Sequence, residues 1–202
     1  NWLVKDTNKL AETIHAAFEV AGSGRPGPVL VDVPKDVQFA SGRYTKKNEI
    51  KKDFIKKEPP IDLDMLDEAI NRLELAERPI IYSGGGVINS GQSAVNSLRN
   101  LVAGTNFPIT STLMGLGSYP ASGKNWLGML GMHGTYEANM SMHDCDFMLC
   151  IGARFDDRIT GRIDAFSPNS YKVHIDIDPS SINKNITVEA PSIGDVSHIL
   201  ST

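Results

Sequence analysis

The sequence predicts an α/β fold in which a parallel sheet is flanked by helices on both faces. Short runs of apolar, often β-branched residues alternate along the chain with longer segments whose apolar residues recur at helical spacing. The predicted strands are apolar at nearly every position, as expected for strands that are covered on both faces. Loops rich in glycine or in charge follow these strands, and this strand–loop–helix order is typical of α/β domains.

The composition is that of a globular domain and argues against several classes of function. Of the 202 residues, 41% are hydrophobic and 22% are charged, close to the average for globular proteins. The net charge of −4 argues against nucleic acid as a partner, and the apolar runs are too short to span a membrane. Cys145 and Cys150 have neither disulfide-framework nor zinc-site spacing, so we interpret them as reduced thiols in a cytoplasmic protein.

Residues 1–40 predict one helix and one strand. Asp6 or Thr7 is suited to cap the helix, and Gly22 to end it. A β-branched run at residues 29–33 predicts the strand. Because these elements cannot enclose a core and no initiator methionine precedes them, we expect them to be the remnant of a preceding α/β domain in a longer protein.

Residues 41–60 show an abrupt change in composition. Seven lysine and arginine residues stand against three aspartate and glutamate residues, and two prolines close the segment. We interpret it as a basic linker between domains, since it has few apolar residues to bury. A basic patch for phosphate groups or anionic lipid is the alternative.

From residue 61 onward the alternation of elements is regular, which predicts one domain over residues 61–202, truncated at its C-terminal end. Asp62 or Asp64 caps the first helix, and Ser90 caps a second one that ends at Gly104. Further helices are predicted over residues 135–143 and from Gly194 and Asp195 onward. The predicted strands cover residues 79–82, 108–112, 147–152 and 171–177, with another near Val188. Residues 83–86 and 115–131 are predicted as loops.

In an open parallel sheet, ligands bind beyond the carboxyl ends of the strands, so the loops that follow strands are the first place to look for a site. Gly84, Gly85 and Gly86 follow one strand, and three glycines would let the backbone approach a pyrophosphate with its amides turned inward. The run matches neither the G-x-G-x-x-G fingerprint nor the P-loop. A simple tight turn is therefore an equal alternative.

The loop at residues 152–162 is the most charged of these segments. It contains three arginines and two aspartates directly after the most apolar strand. Guanidinium groups bind phosphates in a bidentate manner and stack on flat rings. This loop therefore favours a ligand site, and a solvated surface loop of offsetting charges is the alternative.

Other strand ends carry weaker signals for the same kind of ligand. His133 lies between glycines near a helix start, and Thr112 precedes Gly115. Asp176 ends a strand, where a carboxylate can hold a ribose or cap the next helix. Because no catalytic triad or H-E-x-x-H pattern is present, the residues predict a place to hold a nucleotide rather than a covalent catalyst.

Six segments together resemble the acetolactate (acetohydroxyacid) synthase family. They occur in the order of that family and cover nearly the whole chain outside the lysine-rich segment. The first resembles the end of the family's pyrimidine-binding domain, and the others resemble its central domain. The segments are residues 24–36 (GRPGPVLVDVPKD), 82–87 (YSGGGV), 111–117 (STLMGLG), 132–139 (MHGTYEAN), 152–161 (GARFDDRITG) and 174–180 (HIDIDPS).

The resemblance implies a central domain of the DHS-like NAD/FAD-binding type in an enzyme that uses thiamine diphosphate and Mg²⁺. Such an enzyme condenses two pyruvates, or pyruvate and 2-ketobutyrate, with release of CO₂, as the first common step of valine, leucine and isoleucine synthesis. FAD lies on the central domain without a net redox role. The resemblance further implies a cytoplasmic homo-oligomer, dimer or tetramer, with a small regulatory subunit and neither nucleic acid nor membrane as a partner.

Carried over position by position, the resemblance also implies the site residues. Those expected to line the flavin are Arg25, Gly84, Gly85, Gly86, Thr112, Leu113, Met132, His133, Gly152, Arg154, Asp156, Arg158, Asp176, Ile177, Asp195 and Val196. Those expected to face the substrate channel are Lys35, Met132, His133, Asp157 and Arg158. No catalytic or metal-binding residue is expected in this chain.

The family's activating glutamate and its Gly-Asp-Gly…Asn motif for Mg²⁺ and diphosphate are absent from this sequence, so we expect the 202-residue chain alone to be inactive. Ile159, Ser118, Tyr119 and Cys145 depart from the residues usual in the family. Glyoxylate carboligase, sulfoacetaldehyde acetyltransferase and pyruvate oxidase share the architecture and are alternatives within the superfamily. A stand-alone NAD- or FAD-binding module is the alternative from a different class.

Overall fold

The computed structural model describes residues 1–44 and 59–202, which divide into two compact units, residues 1–57 and 58–202. Most of the predicted basic linker, residues 45–58, lies outside the described residues. In the parts of the chain that are described, none of the helices has the length and apolar character needed to cross a bilayer.

The first unit contains the predicted helix and strand together with two short elements that were not predicted. Asp6 caps a single 3₁₀ turn, and the helix proper begins directly after that turn, at Leu10. The strand is shorter than predicted and pairs in parallel with the start of the chain, Trp2 opposite Val31. The elements are β1 (Trp2–Leu3), α1 (Leu10–Gly22), β2 (Val31–Asp32) and α2 (Lys35–Phe39).

The second unit is a six-stranded sheet in which every neighbouring pair of strands is parallel. Its strands are β3 (Pro79–Ser83), β4 (Ile109–Ser111), β5 (Trp126–Met129), β6 (Phe147–Ile151), β7 (Tyr171–Asp176) and β8 (Ala190–Ile193). Its helices are α3 (Leu63–Glu74), α4 (Gly85–Asn89), α5 (Gly91–Thr105), α6 (Tyr136–Asp144), α7 (Asp157–Thr160) and α8 (Val196–Ile199).

The order of strands across the sheet is β5-β4-β3-β6-β7-β8. The first strand of this unit, β3, therefore lies in the middle of the sheet, and β4 and β5 follow it toward one edge. The chain then returns to the middle with β6, and β7 and β8 follow toward the other edge. This is the order of doubly wound dinucleotide-binding folds, in which the crevice lies where the order reverses. Here that point is between the carboxyl ends of β3 and β6.

Both faces of the sheet are buried, which confirms the predicted α/β fold class. Tyr82 and Cys150 are paired in register and pack on one face with Leu130, Met142 and other apolar residues. Ile81 lies on the opposite face with Val87, Leu98 and Ile109. Burial on both sides explains why the strands are apolar at successive positions rather than at alternate ones.

Five details of the prediction differ from the structure. Residues 83–86 are not a loop, since α4 begins at Gly85. The side chain of Ser90 makes no capping hydrogen bond to α5. That helix ends at Thr105 rather than at Gly104, and Asn106 follows it in a left-handed conformation. The predicted loop at 115–131 contains β5, and the strand expected near Val188 begins two residues later, at Ala190.

Candidate functional site

All predicted site residues of the second unit lie at one edge of the sheet, in or next to the segments that follow the carboxyl ends of its six strands. Parallel strands bring these segments to the same edge regardless of their separation in sequence. They are Gly84, Gly85 and Gly86 after β3; Thr112 and Leu113 after β4; Met132 and His133 after β5; Gly152, Arg154, Asp156, Asp157 and Arg158 after β6; Asp176 and Ile177 at the end of β7; and Asp195 and Val196 after β8.

The glycine run after β3 packs directly against the segment after β6. The amide of Gly84 donates to the carbonyl of Ile151, and the amide of Gly86 donates to the carbonyl of Gly152, both at 2.8 Å. The expectation that the amides of this run turn toward a pyrophosphate is therefore wrong for these two. The glycines instead allow two backbones to approach at the point where the strand order reverses, because a Cβ on Gly86 would lie 2.6 Å from the Cα of Gly152.

The charged segment after β6 is organised by Asp156. Its carboxylate lies 2.8 Å from the Arg154 guanidinium and caps the short helix α7 by accepting from the amide of Arg158. A hydrogen bond with Asp157, the amide of Arg158 and the charges of both arginines hold the pKa of Asp156 below its usual value. Arg154, Asp157 and Arg158 are exposed at this edge, where an anionic ligand can reach the two cations.

The segment after β5 is fastened to the segment after β6. The amide of Met132 donates to the carbonyl of Arg158 at 2.9 Å, so Met132, His133 and Arg158 lie beside one another. His133 is exposed. The structure therefore brings together three of the five residues predicted to face a substrate channel, and Asp157 precedes Arg158 directly.

Apolar side chains stand exposed at the same edge. Leu113 and Met114 follow β4 and are 66% and 75% exposed, and Met132 after β5 is 63% exposed. Thr112 is half-buried, and its hydroxyl caps the turn that follows it by accepting from the amide of Gly115 at 3.0 Å. Exposed leucine and methionine beside arginines offer both an apolar contact and a cation to a flat, charged ligand.

Carboxylates occupy the far side of this edge. Asp176 is nearly buried at the end of β7, where it accepts from the amide of Asp178 at 2.8 Å. Asp195 caps α8 by accepting from the amide of Ser197, also at 2.8 Å. Burial alone would raise the pKa of Asp195, but hydrogen bonds from Ser197 and Ser90 outweigh it and leave the pKa lowered.

Arg25 and Lys35 belong to the first unit rather than to the sheet. Arg25 is exposed in the turn between α1 and β2. Lys35 begins α2, and its ammonium lies 5.9 Å from the centre of the Phe39 ring. Their expected roles stay predictions.

Two residues at this edge were missed by the sequence analysis. Met114 contacts the glycine run, since a Cβ on Gly85 would lie 3.0 Å from the Cβ of Met114. Asn139 lies in α6, and its side chain bonds both backbone polar groups of Gly131. The sequence did contain a signal for Asn139, because it lies eight residues after Gly131 and in the first turn of the next helix. Asparagine side chains at such positions can bond the backbone of the preceding loop.

The edge presents side chains of the kinds that bind ligands. Arginines, carboxylates and exposed apolar side chains are arranged around a backbone contact that has no side chains. Among the described residues, no group of three or more histidine, cysteine, aspartate or glutamate side chains is placed to hold a metal ion.

Comparison with known proteins identifies the protein family that this chain matches. Residues 66–202 match the family described as "Thiamine pyrophosphate enzyme, central domain". The chain is 41% identical over 202 residues to the acetolactate synthase large subunit of Buchnera aphidicola subsp. Acyrthosiphon pisum, and 40% identical to the acetolactate synthase isozyme 3 large subunit of Escherichia coli K12. Each match covers 99% of this chain and 35% of the relative. Acetolactate synthase 3, chloroplastic, of Brassica napus is 41% identical over 198 residues, covering 97% of this chain and 30% of the relative.

Proposed function

Because this chain belongs to the thiamine pyrophosphate enzyme family as a central domain, we propose that it is the flavin-nucleotide-binding domain of an acetolactate synthase. It spans about a third of the length of the relatives it matches. The observation that carries the proposal is the convergence of six strand ends on one edge, with Arg154 and Arg158, the carboxylates of Asp176 and Asp195, and exposed Leu113 and Met132 placed around the reversal of strand order.

The residues present are suited to FAD. A dinucleotide has a pyrophosphate, two sugar portions and two flat rings. The arginines supply bidentate donors for the pyrophosphate, and the carboxylates supply acceptors for hydroxyls. Leu113 and Met132 supply apolar contacts for a ring, and the glycine run and Gly152 add no side chains of their own where their backbones meet.

The activity we propose for the whole enzyme is the condensation of two 2-keto acids with loss of CO₂, as the first common step of branched-chain amino-acid synthesis. Thiamine diphosphate, held with Mg²⁺ by other parts of the enzyme, supplies the carbanion chemistry when bound. The proposed role of this chain is to bind and orient the keto acid. Arg158 offers a cation to the carboxylate of a keto acid, and Met132 and His133 line the same wall because the amide of Met132 bonds the carbonyl of Arg158. Lys35 and Asp157 complete the proposed channel residues.

We extend the proposal to partners and compartment. The relatives named large subunits support a second, smaller subunit, which we propose regulates a homo-oligomeric enzyme. Cys145 and Cys150 are both free and buried in the structure. Two unpaired thiols support a reducing compartment, and we propose the cytoplasm.

The activity is tested with the full-length protein, thiamine diphosphate, Mg²⁺ and FAD. Pyruvate should be converted to acetolactate, and the full-length gene should restore growth of a strain auxotrophic for branched-chain amino acids. Conversion of glyoxylate or sulfoacetaldehyde in place of pyruvate, or consumption of pyruvate with an electron acceptor, would assign the chain to another member of the superfamily.

The ligand is tested separately by calorimetric titration of the 202-residue chain with FAD and with NAD. We expect FAD to bind and NAD to bind weakly, because the resemblance to acetolactate synthases implies a flavin on this domain. Strong binding of NAD with no response to FAD would favour a stand-alone NAD module instead.

A further inference from the structure

The side chain of Asn139 holds the loop that carries Met132 and His133. Asn139 lies in the first turn of α6, and its Oδ1 accepts from the amide of Gly131 at 3.1 Å. Its Nδ2 donates to the carbonyl of Gly131 at 3.1 Å and to that of Thr135 at 2.9 Å. One side-chain amide therefore pairs with both backbone polar groups of Gly131, as the backbone of a neighbouring strand would.

Gly131 is held from its other side by the segment after β6. Its φ is +103°, and a Cβ there would lie 2.6 Å from the carbonyl oxygen of Arg158. The same oxygen accepts from the amide of Met132 at 2.9 Å. The loop after β5 thus lies between Asn139 and the backbone of Arg158, and the two contacts together determine how Met132 and His133 stand relative to Arg158.

The helix itself does not require asparagine at this position. Thr135 already caps α6 by accepting from the amide of Ala138, and asparagine favours a helix interior less than alanine does. The side chain is turned to the loop instead, where it accepts from the amide of Gly131 and donates to the carbonyl of Gly131, which also accepts from the amide of Gly134 at 2.9 Å. Its contribution is therefore to the conformation of residues 131–133.

We infer that Asn139 is a positioning residue for the ligand site. Asn139 acts through Gly131 to keep Met132 and His133 beside Arg158. The inference rests on the proposed function only in taking Met132, His133 and Arg158 as ligand contacts. Loss of the side-chain amide should release the loop while the sheet remains intact.

The test compares Asn139→Ala with Asn100→Ala, a matched substitution at an exposed position of α5, in the full 202-residue chain. Amide hydrogen exchange measured by NMR is the first readout. In Asn139→Ala the protection of Gly131 and Met132 should fall about tenfold or more, while Ile81 in the central strand should be unchanged. Asn100→Ala should leave all three amides unchanged.

Titration with FAD is the second readout. Asn139→Ala should bind FAD about tenfold more weakly than the unmodified chain, and Asn100→Ala should bind it equally well. Asn139→Asp separates hydrogen bonding from packing because the side chain keeps its shape and the oxygen that accepts from the amide of Gly131. It loses the donor to the carbonyls of Gly131 and Thr135 and places a carboxylate oxygen against them. It should release Met132 at least as much as the alanine variant does.

Equal protection of Met132 in Asn139→Ala and Asn100→Ala would overturn the inference. Faster exchange that extends to Ile81 would also overturn it, because this would indicate general destabilisation. Release of the loop with unaltered affinity for FAD would overturn it as well. Failure of the unmodified chain to bind FAD would count against the flavin assignment, and the exchange of Gly131 and Met132 would still decide whether Asn139 holds the loop.

Discussion

The backbones of Gly84 and Gly152 touch where the strand order of the sheet reverses. A Cβ atom on Gly84 would lie 2.2 Å from the carbonyl oxygen of Gly152, and it would also collide with the backbone of the next residue, Ala153. Rotation of a side chain cannot relieve a contact with backbone atoms. The two segments that follow β3 and β6 therefore meet in a space that admits only glycine at residue 84.

Gly84→Ala should consequently destabilise the chain severely. We expect a loss of more than about 3 kcal/mol in the free energy of unfolding, because the two central strand ends would have to separate. Gly104→Ala is the matched control, since Gly104 lies in α5 and an added methyl group there would have no neighbouring atom within 4 Å. This control should gain up to about 1 kcal/mol. Urea unfolding followed by circular dichroism measures both, and equal midpoints for the two variants would contradict the expectation.

Arg154→Ala should weaken FAD binding without lowering stability. Its ion pair with Asp156 is largely exposed, and exposed pairs contribute only about 0–1 kcal/mol. We expect about a tenfold loss of affinity for FAD, as for one charge-assisted contact. Arg162→Ala is the control within the same loop, because Arg162 pairs with exposed Asp164 and is not among the proposed ligand residues. Calorimetric titration should show equal affinity for the control and the unmodified chain, and equal losses in both variants would argue for a general charge effect.

His174 should make stability fall in mild acid. It is fully buried, and burial lowers its pKa below 6.5 despite opposing contributions from the carbonyl of Ala153 and from Asp176. Because a carbonyl only accepts, Nε2 at 2.8 Å from that oxygen carries the proton in the neutral ring. As the pH falls below 6.5, the unfolded chain binds a proton that the folded chain excludes, so the free energy of unfolding decreases until the lower folded pKa is reached.

His174→Phe removes this titration while keeping a ring beside Phe155. Between pH 7.5 and pH 5, the unfolding free energy of the unmodified chain should therefore fall more than that of the variant. These two pH values lie on either side of the ordinary histidine pKa of about 6.5. A constant difference between the two unfolding free energies across this range would mean that His174 does not control the acid response.

Thr135→Ala should destabilise α6 and the end of β5 together. The hydroxyl of Thr135 accepts from the amide of Ala138 at 3.2 Å and donates to the carbonyl of Leu127 at 2.6 Å. We expect a loss of about 1–2 kcal/mol, the usual range for removal of a capping residue. Thr187→Ala, at an exposed position between β7 and β8, should change stability by less than about 0.5 kcal/mol. Thermal unfolding of the two variants provides the measurement.

The sequence predicted the elements well where one local property dominated. Residues 79–82 and 147–152 are continuous apolar runs, and both are strands in the structure because such runs are stable only when covered on both faces. Trp126–Met129 was missed as β5 because a glycine at φ +96° interrupts its apolar character. Its strand conformation comes from pairing with β4, which is a contact between segments distant in sequence.

The sequence predicted that most of the proposed site residues follow strands, and the structure has them there, because the rule for parallel sheets requires only that a residue follow a strand. Their roles toward a ligand stay predictions. It could not foresee that the amides of Gly84 and Gly86 are taken up by the segment after β6, nor that Asn139 reaches back to Gly131. Both depend on how closely separate segments of the chain approach each other, which residue type alone does not determine.

The sequence by itself determined the α/β class and the approximate positions of most strands, helices and the loops between them, because hydrophobic spacing and turn residues act over a few neighbouring positions. Only the tertiary structure decided the strand order β5-β4-β3-β6-β7-β8, the contact of Gly84 with Gly152 and the placing of Met132 beside Arg158. These relationships join residues that are far apart in the chain, so packing of the whole sheet, rather than any local preference, determines them.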